Sequence, residues 1–480
     1  MKMKKFISIL LALTIVLSAC SVAFAAAGEC DCGNSPVIYV RGFGEPIYEN
    51  TESGDRVEIF GAMGEVAKVK IPQIIFAVFG LLTGNNNMFA KFAIDVADAM
   101  FEKFECDENG TPIYNTSINE PTAPTYQRHL NELCHLSGDV DGYTDNCYYF
   151  SYDWRMSPLD NAKLLNDYVL EVMEATRHSK ITFACHSQGN TIVASYLYLY
   201  GSENIDKIAF LSPAYQGLSL VSALFTGNIE VSGKADALET FIGTMPMEGV
   251  DWLPTLISVL KKIKVIDGLL WWLDGVLDDQ YKRVYDEYLG ATFGNFAGLW
   301  AFVSVDDFEE AKKMRFGENY EETEFIKKID EYNYNVQKNL TKLIGDAMDN
   351  GTDVMICAGY GISSIPVTAD PEGHSDMLID SEKMSLGATF APVGKTFENG
   401  YVQAVDCGHN HISPDRMVDA STCAFPENTW FFKGMDHNTF PDEYIFFINE
   451  FFESDGEFTV NTYEKYPQFL RPEGSKIVPV

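Results

Sequence analysis

Residues 181–190 read Ile181-Thr-Phe-Ala-Cys-His-Ser-Gln-Gly-Asn190, and this stretch decides the fold. An apolar run typical of a strand ends at Ser187, and a helical pattern begins directly after it. A strand, a tight turn that exposes a serine and a helix together make up a nucleophile elbow. The elbow needs small residues two positions before and two after the serine, because the strand and the helix crowd together there. Gly189 meets this demand, and Cys185 stands where a glycine is usual.

Strands and amphipathic helices alternate around this stretch. The patterns predict strands at 36–40, 147–152, 180–185 and 207–211, and helices at 124–136, 159–176 and 189–200. Further strands are predicted at 353–357, 401–405 and 429–432, followed by an apolar helix at 442–452. Such alternation indicates an α/β fold with a mostly parallel sheet and helices on both faces.

Two segments interrupt the alternation. Residues 45–122 are predicted to be an N-terminal insertion, with an apolar run at 71–82 and a helical pattern at 89–104. Residues 214–350 are predicted to be a helical cap above the carboxyl edge of the sheet, with aromatic residues at Trp252, Trp271, Trp272, Trp300 and Phe302. The apolar side chains of both segments suit contact with a long acyl chain, and equally suit the internal core of two helical subdomains.

A nucleophilic serine in this fold requires an acid and a histidine, in the chain order Ser, Asp or Glu, His. His437 lies after the last apolar strand and before the final helix, so we predict it as the base. Asp376 follows the strand after the cap and is the predicted acid, with Asp380 and then Asp370 as alternatives. Backbone N–H groups of Phe43 and Gln188 are the predicted oxyanion donors. His186 adjoins the serine and is interpreted as structural.

Five separated motifs give a more specific resemblance. They are Pro36-Val-Ile-Tyr-Val-Arg-Gly-Phe-Gly44, Tyr152-Asp-Trp-Arg-Met-Ser-Pro158, the serine stretch, and the pair Ser375-Asp-Met-Leu-Ile379 and Gly434-Met-Asp-His437. In this order they resemble the lecithin:cholesterol acyltransferase and lysosomal phospholipase A2 family of α/β-hydrolases. The resemblance covers roughly residues 36–453, and Met377 and Leu378 depart from the family's acid motif. Within it, Asp153 and Arg155 are interpreted as a structural ion pair and Trp154 as an aromatic anchor.

The resemblance implies an α/β-hydrolase domain over 36–480 that cleaves carboxylic esters, or transfers their acyl group, through an acyl-enzyme. Lipid esters are the expected substrates, with residues 45–122 at the place of the family's membrane-binding subdomain. An esterase for soluble or polysaccharide esters and a noncatalytic binding protein that keeps the fold are the alternatives. The chemistry requires no cofactor and no metal.

Composition sets the expected compartment and partners. The net charge of -34 argues against nucleic acid and anionic membranes as electrostatic partners. Beyond residue 25 no apolar run is long enough to span a bilayer, so at most peripheral contact with membranes is expected. Residues 1–25 combine lysines, an apolar run and small residues, which predicts a bacterial-type signal peptide and secretion. Release after Ala23-Phe24-Ala25 is favoured, and a lipoprotein anchored at Cys20 is the alternative.

Cysteines and histidines offer weaker patterns. The ten cysteines predict disulfides in an exported chain, with Cys134–Cys147 and Cys407–Cys423 as candidate pairs and Cys185 and Cys357 as free core thiols. The spacing of His409 and His411 could hold a metal, and residues 139–145 resemble half a calcium loop. Neither has a complete ligand set in the sequence, so no metal site is predicted.

Overall fold

The computed structural model describes residues 33–44, 101–118, 147–229, 281–364 and 373–480 without gaps. It also describes residue 30, the short segments 47–49, 56–57 and 143–144, and scattered residues within 91–94 and 235–274. The predicted signal peptide, the apolar run at 71–82, the helix at 124–136, Cys134 and Asp370 lie outside the described residues.

A nine-stranded sheet forms the centre of the described structure. Its strands are β1 (Val37–Val40), β2 (Tyr143–Thr144), β3 (Cys147–Phe150), β4 (Ile181–His186), β5 (Ile205–Leu211), β6 (Asp353–Tyr360), β7 (Thr429–Lys433), β8 (Phe469–Glu473) and β9 (Lys476–Pro479). In space they follow the order β9-β8-β7-β6-β5-β4-β1-β3-β2. All neighbours from β8 to β3 are parallel, and only the edge strands β9 and β2 pair antiparallel. The predicted mostly parallel α/β architecture is confirmed.

Helices cover both faces of this sheet, which explains why the central strands β1, β4 and β5 are largely apolar. On one face, Ile38 and Val40 share a buried cluster with residues of helices Pro158–Thr176, Gly189–Tyr200 and Leu340–Asp349. On the other, Val37 and Tyr39 pack with helix Asp442–Glu453. Successive residues of a strand therefore enter different cores, and the sheet lies buried between them.

The prediction of a strand at 401–405 is wrong. Two groups of this segment bond to one carboxylate instead of a neighbouring strand: the Tyr401 hydroxyl and the Ala404 N–H each lie 2.8 Å from Asp419 Oδ2. Val402 is 78% exposed, so the apolar pattern does not reflect burial here. The sheet instead continues with β8 and β9, which the sequence analysis missed because β8 contains Pro472 and two charged residues.

The described part of 214–350 is largely helical, as predicted. Its longer helices are Ser219–Thr226, Phe308–Phe316, Glu324–Glu331 and Leu340–Asp349, and its shorter segments are Tyr285–Leu289, Gly290–Thr292, Phe293–Asn295, Ala297–Trp300, Tyr332–Val336 and Gln337–Asn339. The described insertion contributes the 3-10 turn Glu102–Phe104 and a small antiparallel sheet of Ile47–Glu49, Arg56–Val57 and Thr116–Ile118. Across the described residues, no helix is long and apolar enough to cross a membrane.

Four remaining elements surround the acid and histidine segments. Two-stranded ribbons join Ile362–Ser363 to His374–Ser375 and Thr389–Phe390 to Val418–Asp419. A short helix at Ser381–Met384 and a 3-10 turn at Ala420–Thr422 complete this region.

The predicted Cys407–Cys423 disulfide is wrong, because both thiols are free. Cys423 is buried with its Sγ directed at the Ala420 carbonyl oxygen, 3.0 Å away, whereas the exposed Cys407 lies 3.7 Å from the carbonyl oxygen of His409. Each thiol thus has a local acceptor of its own. Cys185 and Cys357 are free and buried, as predicted.

Candidate active site

Ser187 occupies the turn between β4 and the helix Gly189–Tyr200. Its φ of 53° lies in the left-handed region that residues with a side chain rarely adopt. A methyl group added to Gly189 would lie 2.2 Å from the carbonyl oxygen of Val40, so only glycine fits there. The local sequence therefore forces the strained turn that the elbow pattern predicts, and the serine is held at the end of a buried strand.

Cys185 is the residue at which this elbow departs from the usual sequence, which has glycine there. Its side chain is fully buried, and its Sγ lies 3.3 Å from the carbonyl oxygen of Ala209 on the neighbouring strand. Burial raises the pKa of this thiol well above its usual value. The cysteine is therefore a neutral core residue that the elbow accommodates.

The structure brings Ser187, His437 and Asp376 together from three distant parts of the chain. His437 Nε2 lies 2.9 Å from Ser187 Oγ, and His437 Nδ1 lies 2.7 Å from Asp376 Oδ2. A carboxylate only accepts hydrogen bonds, so Nδ1 carries the proton and Nε2 is free to accept from the hydroxyl. The three side chains form one continuous hydrogen-bonded chain.

Asp376 is fixed by its own backbone. Its second oxygen, Oδ1, accepts from the N–H groups of Leu378 at 3.1 Å and Ile379 at 2.8 Å. Met377, where the resembled family has a small residue, adopts a φ of 85°. A glycine would take this conformation without strain, and the methionine holds the tight turn at a steric cost.

Asp380, the alternative acid, faces the cap instead of His437. Its Oδ2 accepts from the N–H of Ser219 at 2.8 Å, at the start of helix Ser219–Thr226. With Lys383, His374 and Phe390 it lines a cavity of about 740 Å³, and Ser187 is not among the lining residues. The carboxylate at His437 is that of Asp376.

His186 lies behind the histidine of the site. Its Nε2 is 3.1 Å from the carbonyl oxygen of His437, and the two rings are 4.8 Å apart. Because a carbonyl oxygen accepts, Nε2 of His186 carries the proton. Burial, and then the nearby charge on a protonated His437, lowers the pKa of His186 well below its usual value. It is a neutral support for the loop that carries His437.

The loop after β1 passes directly against the serine. A methyl group added to Gly42 would lie 2.7 Å from Ser187 Cβ and 3.2 Å from Ser187 Oγ. The next residue, Phe43, is one predicted oxyanion donor. Gln188, the other, immediately precedes the helix, and the first N–H groups of a helix have no acceptor within it. Phe43 follows Gly42 and Gln188 follows Ser187 in the sequence, so both residues belong to segments in direct contact with the serine.

Tyr152 ties these two donor segments together, a role that the sequence analysis missed. Its hydroxyl lies 2.7 Å from the carbonyl oxygen of Arg41 and 3.4 Å from Gln188 Oε1. The amide nitrogen of Gln188 in turn donates to the Trp154 carbonyl oxygen at 2.9 Å. The signal was present in the Tyr152–Pro158 motif, but nothing in a linear sequence shows what its tyrosine contacts.

Asp153 and Arg155 form the predicted ion pair. Arg155 Nη2 lies 2.7 Å from Asp153 Oδ2, and the arginine side chain is fully buried. The same guanidinium donates to the Phe104 carbonyl oxygen at 3.2 Å and to Thr116 Oγ1 at 3.3 Å. The pair therefore attaches the inserted segment to the loop that holds Gln188.

Aromatic rings line the elbow on the side of the insertion and the cap. The Phe43 ring lies 4.5 Å from that of Trp154 and 6.3 Å from that of Phe302. Trp154 also packs edge-on against Phe296, 5.6 Å away. Gly298 brings the cap close, since a methyl group there would lie 2.0 Å from the Trp154 carbonyl oxygen. The Phe43 loop, the Trp154 segment and the cap are thus packed closely against one another.

Comparisons with known proteins do not assign a family to this chain. No family model and no curated protein matches the sequence. One solved structure with some likeness is "The crystal structure of Tle4-Tli4 complex", at 15% identity and a TM-score of 0.24. The likeness covers 40% of this chain and 48% of that one, so the chain spans about half of that protein. The function of this chain is therefore inferred from its own residues.

Proposed function

We propose that this protein is a serine hydrolase of the α/β-hydrolase fold that cleaves carboxylic esters through an acyl-enzyme on Ser187. The observation that carries the proposal is the hydrogen-bonded chain from Asp376 through His437 to Ser187, with its distances of 2.7 and 2.9 Å. The strained turn at Ser187 and the order Ser, Asp, His along the chain add to it.

The reaction begins when Ser187 Oγ attacks the ester carbonyl carbon and His437 Nε2 takes the hydroxyl proton. The imidazolium that forms is stabilised by the Asp376 carboxylate at Nδ1, which keeps its own charge. His437 then gives the proton to the leaving alkoxide, which departs as an alcohol and leaves the acyl group on Ser187. A water, or an acceptor alcohol, repeats the sequence in reverse and frees the serine.

Negative charge develops on the carbonyl oxygen during each attack. The N–H groups of Phe43 and Gln188 are the proposed donors to it, and the helix Gly189–Tyr200 adds the positive end of its dipole. Tyr152 acts as a positioning residue, because its hydroxyl contacts both donor segments.

Lipid esters are the proposed substrates. The motif resemblance supports this choice, and the partly buried, apolar Phe43 follows Gly42, which lies directly against Ser187. The net charge of -34 favours the second candidate, an esterase for soluble esters, because such a surface is repelled by anionic membranes.

Labelling with a fluorophosphonate tests the proposal. The full chain should be labelled at one serine, and Ser187→Ala should lose both labelling and ester hydrolysis. Ser195→Ala is the matched control, since Ser195 lies in the next helix and donates to the Thr191 carbonyl oxygen at 2.8 Å. Hydrolysis that persists in Ser187→Ala would overturn the mechanism.

A second measurement separates the substrate classes. Rates on a short soluble ester and on zwitterionic phospholipid vesicles are compared at equal ester concentration. A lipid hydrolase gains rate when its ester is presented at the vesicle surface. Equal or lower rates on vesicles would favour the soluble esterase.

Export through residues 1–25 is also proposed, on the pattern of lysines, apolar run and small residues. Mass spectrometry of the N-terminal peptide of the exported protein distinguishes release after Ala25 from lipid attachment at Cys20. An unprocessed Met1 on the exported protein would contradict both.

A further inference from the structure

A second cluster of reactive side chains lies outside the site at Ser187. Cys407, His409 and His411 are the first, third and fifth residues of the segment Cys407-Gly-His-Asn-His411. Each offers one ligating atom, and these atoms lie within 4.8 Å of one another. Cys407 and His409 are exposed, and His411 is fully buried. The cluster is thus buried at His411 and open to solvent at Cys407 and His409.

His411 is held with one ring nitrogen unused. Its Nδ1 lies 2.8 Å from Gln468 Oε1, while the amide nitrogen of Gln468 donates to the carbonyl oxygens of Pro426 and Thr429. Gln468 therefore presents an acceptor, and His411 donates from Nδ1. Its Nε2 then carries a lone pair, and it is buried without a hydrogen-bond partner in the described part of the chain. A buried acceptor without a donor is costly unless a ligand satisfies it.

His409 has two polar groups at its Nδ1. The acceptor Glu427 Oε1 lies 3.3 Å away, and the amide nitrogen of Asn461, a donor, lies 3.2 Å away. Both polar neighbours are on the Nδ1 side, so Nε2 is the nitrogen that remains for a ligand. A metal on Nε2 would leave the ring proton on Nδ1, where the Glu427 carboxylate can accept it, as carboxylates commonly do behind metal-binding imidazoles.

Gln403 holds the segment in shape from within. Its amide nitrogen donates to the carbonyl oxygens of Val405 and His409, both at 2.9 Å, and its Oε1 accepts from the His411 N–H at 2.9 Å. The same amide nitrogen approaches Cys407 Sγ at 3.9 Å. The three ligating groups are therefore placed by a hydrogen-bonded loop, which limits the entropy lost on binding.

We propose that Cys407, His409 and His411 bind one Zn²⁺ ion, with water in the fourth position on the exposed side. One thiolate and two imidazoles suit zinc, whereas calcium and magnesium prefer oxygen ligands. Coordination by sulfur releases the thiol proton to solvent. The ion would fasten the irregular 401–411 segment, through His411, to Gln468 at the residue before β8. The histidine spacing alone lacked a third ligand, and the fold supplies it with Cys407.

The experiment uses the full chain freed of metal with a chelator and then titrated with Co²⁺ as a spectroscopic stand-in for Zn²⁺. We expect one equivalent of Co²⁺ to produce a thiolate-to-cobalt charge-transfer band with tetrahedral ligand-field bands, and Zn²⁺ to displace it. Cys407→Ser should abolish the charge-transfer band, and His411→Gln should weaken binding by at least about tenfold. Glu427→Gln removes an outer support and should weaken it by roughly 10- to 100-fold.

Controls keep the outcome clear. Cys30→Ser and His178→Gln remove a thiol and an imidazole outside the cluster and should bind as the wild type does. Cys407 is exposed, so its replacement leaves the core intact and a loss of the band reports the ligand. A wild type that gives no charge-transfer band, or a Cys407→Ser variant that keeps it, would overturn the proposal. Neither result depends on ester hydrolysis at Ser187.

Discussion

His437 is bound to Asp376 twice, once through its side chain and once through its backbone. The His437 N–H donates to the Asp376 carbonyl oxygen at 2.9 Å, and its ring Nδ1 lies 2.7 Å from the carboxylate of the same residue. Gly359 on β6 lies behind this pair, since a methyl group there would meet Asp376 Cβ at 2.7 Å. Two loops from different strands are therefore joined before any substrate binds, and the imidazole is held facing Ser187.

The first prediction concerns the two candidate acids. Asp376→Asn should lower kcat for ester hydrolysis on the order of 10⁴-fold, because an amide at Nδ1 favours the wrong tautomer of His437. Asp380→Asn should change kcat less than about threefold, since its oxygen can still accept from the Ser219 N–H. Steady-state kinetics on a soluble chromogenic ester measure both variants. A larger loss in Asp380→Asn than in Asp376→Asn would reverse the assignment of the acid.

The second prediction concerns Gly42. Gly42→Ala would place a methyl group 2.7 Å from Ser187 Cβ, so the serine or the loop must shift. A displacement of this kind at a reacting group can lower the rate about 100-fold, and we expect that loss in fluorophosphonate labelling rate with little change in melting temperature. Gly345→Ala is the matched control, because nothing lies within 4 Å of the added methyl group. Equal labelling rates for both variants would show that Gly42 is not a spatial constraint.

The fold was predictable where its strands are buried on both faces. β1 is apolar throughout and β4 and β5 are largely so, and the elbow fixes which end of the sheet carries the serine. The edge was not predictable: Phe469–Glu473 is charged and contains a proline, while 401–405 is apolar but exposed. Edge strands and loops have mixed environments, so their pattern does not report burial.

The site was predictable at residues whose chemistry is distinctive, and less so at residues that act by position. Ser187, Asp376 and His437 were named from motif order, and the structure brings them within hydrogen-bond distance. Gly42 and Tyr152 were missed, because their importance lies in contacts across 145 and 36 residues of chain with Ser187 and Gln188. Such contacts depend on the tertiary fold.

The third prediction concerns the buried ion pair. Arg155→Met removes a guanidinium that pairs with Asp153 and bonds to Phe104 and Thr116. Breaking a buried pair leaves an unpaired charge, so we expect the free energy of unfolding to fall by about 3–5 kcal/mol. Lys282→Met breaks an exposed pair with Asp286 and should cost less than about 0.5 kcal/mol. Urea denaturation measures the free energy of unfolding of both variants. Similar losses in the two would show that the Arg155–Asp153 pair stabilises the fold no more than an exposed pair does.

The fourth prediction concerns stability at acid pH. Burial, with the charges of His437 and Arg41, lowers the pKa of His186 in the folded chain. In the unfolded chain this imidazole has an ordinary pKa of about 6.5, so below that pH the unfolded state binds a proton that the folded state does not. The contribution of His186 to the free energy of unfolding should therefore be present in full above about pH 6.5. Below that pH the free energy of unfolding should fall by up to about 1.4 kcal/mol per pH unit.

His186→Gln isolates this contribution, because glutamine can still donate to the His437 carbonyl oxygen but cannot bind a proton. Burial also lowers the pKa of His374, which adds a fall of the same sign to both proteins. Urea denaturation at about pH 7.5 and about pH 5.5 should show that the variant loses roughly 1 kcal/mol less than the wild type on acidification. Identical losses would mean that His186 accepts a proton in the folded chain, and the neutral support proposed for the His437 loop would then be wrong.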